Sequence, residues 1–87
     1  MRESAIKPLL QTHAKREEVV TALGLQFKDC LIGWTNSWLV GQRVSSPRVR
    51  QAAERYPGIL FHTTTSTMTW LFFDAEGRLQ DYYQCGQ

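Results

Sequence analysis

The sequence predicts an α+β fold, an antiparallel sheet of three to four strands with two or three short helices packed on one face. Three observations carry this reading. Apolar residues recur at helical spacing near the N-terminus and again around 47–56, the period changes to two after Ile59, and "FDAEG" reads as a hairpin turn between two of the resulting strands. With 87 residues, 43% hydrophobic and 21% charged, the chain is expected to form a single α+β domain over 1–87. A chain of this length buries only just enough surface to offset its lost conformational entropy. Three Trp, three Tyr and four Phe help, because each ring removes a large area from water.

The elements follow in order. In "SAIKPLLQTHAK", Ile6, Leu9 and Leu10 share a helical face, and Pro8, which lacks a backbone donor, suits a first turn. A short helix is therefore expected to start near Lys7 or Pro8. A second is predicted from Lys15 to Leu23: Val19, Val20 and Leu23 form its apolar stripe, Glu17 and Glu18 lie where the helix dipole favours acids, and Gly24 is its stop. Residues 25–44 read as one or two short strands. Leu31, Ile32, Trp34, Trp38, Leu39 and Val40 are β-prone, while Gly33, Asn36, Ser37 and Gly41 punctuate them.

"SSPRVRQAAERYPG" predicts a third helix, with Ser46 as cap and Pro47 at the first position. Val49, Ala52, Ala53 and Tyr56 form its packed face, and Pro57 and Gly58 end it. Arg48, Gln51 and Arg55 lie on the opposite face. "ILFHTTT" and "TMTWLFFD" are strands, the latter with Met68, Trp70 and Phe72 on one face and Thr69, Leu71 and Phe73 on the other. Both faces are largely apolar, which suits a central position. Asp74 and Gly77 supply the turn chemistry. The returning "RLQDYYQC" places Leu79, Asp81, Tyr83 and Cys85 on one face and Gln80, Tyr82 and Gln84 on the other, a polar pattern expected of an edge strand.

Several function classes find no support in these residues. The net charge of +2 is too small to argue by itself for nucleic acid or an anionic membrane, and no apolar run is long enough to span a bilayer. "MRESAIKPLL" has no secretory h-region, so export would imply a signal lost upstream of residue 1. Two Cys and two His stand too far apart for a zinc site, and neither metal nor cofactor is expected. No nucleophile elbow, zincin sequence or phosphate loop is present, and His62 in a strand reads as a structural partner, so an enzyme is not expected. Asp74 and Glu76 are accounted for by the turn.

The run Thr63 to Thr67 reads as a turn bonded to its own hydroxyls, or as a polar rim beside an aromatic surface. The second reading makes Trp70, Tyr82, Tyr83, Thr63 and Thr65 candidate partner-binding residues of a non-enzymatic protein-binding module that uses one face of its C-terminal sheet. The alternative is a small cytosolic regulatory or nucleic-acid-binding domain using Arg43, Arg48, Arg50 and Arg55. A stronger basic bias and the glycine–aromatic signatures of RNA-binding sheets would accompany that role. Cys30 and Cys85 suit either two buried thiols or one disulfide, which would add about 3–5 kcal/mol in the chain-entropy model.

"REEVVTALG", Arg16 to Gly24, resembles the helix of small bacterial envelope lipoproteins of the SmpA/OmlA type and of β-lactamase-inhibitor-protein-like domains. "MTWLFFDAEGRLQDYY", Met68 to Tyr83, is similar to the strand, Asp-x-x-Gly turn and strand that follow there. The resemblance implies a non-catalytic module of the periplasm or outer membrane that binds another envelope protein through its sheet. A lipid anchor would then lie upstream of residue 1. That setting would permit a Cys30–Cys85 disulfide; without export, the expected location is the cytoplasm.

Overall fold

The computed structural model describes residues 2–26, 46–64 and 66–86, together with the backbone of 30–34. Its elements are α1 (Glu3–Gln11), α2 (Arg16–Ala22), β1 (Cys30–Trp34), α3 (Pro47–Arg55), β2 (Gly58–Thr63), β3 (Thr67–Phe73) and β4 (Leu79–Gly86). The strands form one four-stranded antiparallel sheet in the order β1-β2-β3-β4. The predicted α+β class is therefore observed. Leu31, Ile32 and Trp34 fall in β1, whereas Trp38, Leu39 and Val40 lie outside the described residues.

The helices do not share one face. Ile6 of α1 and Val19 of α2 pack with Ala14, Leu60, Leu71, Phe73 and Leu79, while Val49, Ala52 and Ala53 of α3 pack with Ile59 and Phe72 on the other side of the sheet. The reason lies in β3, where Leu71, Phe72 and Phe73 are at most 1% exposed although neighbours point to opposite faces. A strand apolar on both sides needs a cover on both sides. The expectation of helices on a single face is corrected accordingly.

Helix α1 also differs from expectation, since it begins at Glu3 and holds Pro8 in its interior. Proline there forfeits the bond to the Ser4 carbonyl. Ser4 is exposed, and burial of Ile6 at 0% exposure outweighs the lost propensity. Helix α1 ends with the His13 N–H bonding the Leu10 carbonyl at 3.2 Å and the Ala14 N–H bonding that of Leu9 at 3.0 Å. This is the Schellman arrangement, with His13 at φ 50 where glycine is usual. Helix α2 closes in the same way, with Gly24 at φ 64 and bonds from Gly24 to Thr21 and from Leu25 to Val20. The predicted glycine stop is observed.

Pro47 takes the first turn of α3 as expected, but Ser46 makes no side-chain capping bond. Between β2 and β3 the Thr64 N–H bonds the Thr67 carbonyl at 2.8 Å, and Thr64 Oγ1 accepts from the N–H groups of Ser66 and Thr67 at 3.3 and 3.0 Å. The hydroxyl run thus serves its own turn at Thr64. In the last hairpin, Asp74 Oδ1 accepts from the Glu76 and Arg78 N–H groups at 2.9 and 3.0 Å, with Gly77 at φ 80.

That hairpin contains a bulge. Phe72 pairs with Asp81 but Phe73 pairs with Leu79, so Gln80 is extra on β4. The insertion flips the alternation: Leu79 joins the face of Tyr82 and Gln84, and only Asp81, Tyr83 and Cys85 keep the face shared with α3. Strict period two had placed Leu79 with Asp81. Burial of Leu79 at 0% against α1 and α2 shows what the bulge accomplishes.

Candidate functional site

Strand β4 is one edge of the sheet, and its outward backbone groups show how that edge is managed. The Leu79 N–H donates to the Ala14 carbonyl at 2.9 Å, and His13 Nδ1 lies 3.0 Å from the Leu79 carbonyl. A carbonyl only accepts, so Nδ1 carries the proton. Lys15 bridges Arg78 in the same antiparallel sense. The α1–α2 connection thereby covers the start of the edge. Among the described residues no strand pairs along the outer side of β4 beyond that bridge.

Side chains take over at Tyr82. Its N–H donates to Asp81 Oδ1 at 2.8 Å, and the same oxygen accepts from Arg48 Nη2 at 2.6 Å, while Arg48 Nη2 also reaches the Tyr82 carbonyl at 3.4 Å. Arg48 and Asp81 thus occupy both outward backbone groups of one residue. The hydrogen bond that Arg48 donates to Asp81 raises the Arg48 pKa above its ordinary value, against a smaller opposing effect of burial. Their side chains remain 44% and 24% exposed, so the pair is worth about 0–1 kcal/mol. It is a weak cover.

On the α1 side, Tyr82 donates its hydroxyl to Glu3 of α1. That bond, with burial second, raises the Tyr82 phenol above its ordinary value. Two polar clefts open here. One of about 320 Å³ is lined by Glu3, Arg48, Asp81, Tyr82, Tyr83 and Gln84. A second, of about 230 Å³, lies between α3 and the strand against Arg48, Gln51, Ala52, Arg55 and Asp81. The Arg48–Asp81 pair borders both.

The residues expected to bind a partner are dispersed. Trp70 stands on the α3 side beside Phe61, with ring centroids 4.3 Å apart and planes at 32°, and Tyr83 is its cross-strand neighbour there. Tyr82 faces the opposite side, against α1. Thr63 is exposed at the end of β2, bonding its hydroxyl to the Thr64 carbonyl at 3.3 Å, and Thr65 lies outside the described residues. The sheet brings Tyr82 and Tyr83 to one edge but gives the set no common face.

Cys30 and Cys85 lie on opposite edge strands, three strand spacings or ~14 Å apart. A disulfide requires Cα atoms within about 7 Å, and Cys85 is a free thiol, so the disulfide reading is corrected. His62 and Cys85 belong to opposite faces and form no catalytic pair. Among the described residues no group of three His, Cys, Asp or Glu could hold a metal ion, and no helix is long and apolar enough to cross a membrane. Arg50 and Arg55 are exposed on α3, whereas Arg43 lies outside the described residues.

Sequence reasoning placed Arg48 and Asp81 on their elements but missed their pairing, and missed Glu3 altogether. The partners lie 33 and 79 positions apart, beyond any local spacing rule. The polar character of β4 was the one signal available. The fold and this edge define a small α+β domain in which, among the described residues, β4 carries no outer strand beyond the Lys15–Arg78 bridge. Compared with family models, curated proteins and solved structures, the chain matches none.

Proposed function

We propose that this chain is a non-enzymatic protein-binding module that engages its partner along the β4 edge. The observation that carries the reading is the outer side of β4, flanked by clefts and guarded at Tyr82 by a displaceable ion pair. Both sheet faces carry helices, which moves the contact surface from a face to this edge. An added strand uses main-chain bonds for affinity and side-chain pockets for choice of partner.

The test is capture of native partners with the wild-type chain and with Tyr83→Ala and Gly86→Pro. Tyr82, and by alternation Gly86, turn their backbone groups outward, so proline at 86 removes a docking donor while leaving the β3 ladder intact. Capture lost in both variants, with circular dichroism unchanged, supports the edge. Capture unchanged in both sinks it. The envelope setting implied by the SmpA/OmlA resemblance belongs to the same proposal, and cell fractionation that finds the chain solely in the cytoplasm removes it.

A further inference from the structure

We infer that the β4 edge takes an extended acidic peptide segment whose carboxylates fall at alternate positions. The inference rests on the edge-binding reading above and adds the partner's chemistry. It follows from the charges on either side of the strand. An added strand turns successive side chains alternately toward α3 and toward α1. On the α3 side it meets Arg48 and Arg55, which line the cleft with Asp81 as the one carboxylate among the described residues. On the α1 side it meets Glu3, held by Tyr82, in the cleft that the Arg48–Asp81 pair also borders.

Arg48 and Asp81 rehearse the complex. Asp81 puts a carboxylate oxygen on the outward Tyr82 N–H and on the Arg48 guanidinium at once. Arg48 in turn reaches the outward Tyr82 carbonyl. An incoming strand supplies a carbonyl for that N–H, an N–H for that carbonyl, and its own carboxylate for Arg48. Arg55, two helical turns further along α3, binds a second carboxylate. Acids at the intervening positions would face Glu3 and are disfavoured, so spacing matters as well as charge.

The test uses the full chain and three fluorescein-labelled octapeptides: alternating Glu and Thr, the isomer with four Glu followed by four Thr, and alternating Lys and Thr. Anisotropy gives affinity, and hydrogen exchange locates the contact. The alternating Glu peptide should bind best and protect β4 amides, with affinity reduced about tenfold by Arg55→Gln, an exposed position outside the core, and similarly by Arg48→Gln. Equal binding of the block isomer reduces the effect to bulk charge and overturns the inference. Protection of β4 by the Lys peptide to the same degree also overturns it, yet leaves edge docking standing. If no peptide protects β4, edge docking falls too. Concentration-dependent dimerisation through β4, or tighter binding of oligothymidylate lost in Arg55→Gln, assigns the surface to a second copy or to nucleic acid instead.

Discussion

Asp74 shows how much one side chain organises. Its carboxylate accepts the Arg78 and Glu76 N–H groups, and its second oxygen accepts Gln80 Nε2 at 2.9 Å. The bond from Arg78, followed among the favourable contacts by that from Gln80, lowers its pKa below the ordinary 3.8 despite some opposing burial. A lowered folded value means stability present above the unfolded pKa and lost as pH falls through the folded one. Asp74→Ala is expected to cost about 1–2 kcal/mol near neutrality and to flatten the acid arm of the stability profile, measured by urea unfolding across pH. His13 allows a second comparison. It occupies a left-handed conformation and also bonds Leu79. His13→Gly relieves the first while losing the second, so it should lie near wild type, whereas His13→Ala retains the strain and should lose about 1 kcal/mol in thermal unfolding.

At the level of elements, α3 and the final hairpin were legible because their signals are local: Pro47 before an apolar stripe, Asp74 and Gly77 within one turn. The start of α1 was not. Pro8 argued for a later beginning, and only burial of Ile6 against residues more than fifty positions away overrides it. The bulge at Gln80 was equally hidden, since a one-residue insertion obeys no period and is justified only by where Leu79 must pack. The β4 edge was visible as polarity, but its ion pair was invisible because Arg48 and Asp81 meet only after the sheet has formed. Helix ends provide a further prediction. Gly24→Ala, at φ 64 with open space around it, should destabilise α2 by about 1 kcal/mol through backbone strain alone, seen as a lower denaturation midpoint with an unchanged slope.

The whole molecule is a sheet between two unequal covers, with β2 and β3 contributing to both. Leu71 and Phe72 are adjacent yet serve opposite cores. Leu71→Ala should cost about 2–5 kcal/mol and Phe72→Ala about 3–5 kcal/mol, and both should shift one and the same calorimetric transition, because the shared strands melt once. A second transition in either variant would show that the covers unfold independently. The contact between Glu3 and Tyr82 bears on how such a chain is made. Synthesis runs from the N-terminus, so α1 emerges well before the strand that supplies Leu79 and Tyr82 to it. Until β4 has been made, Ile6 and Val19 have no finished surface to rest on, and a ribosome stalled before β4 would hold a chain whose α1 and α2 remain exposed to chaperones and proteases.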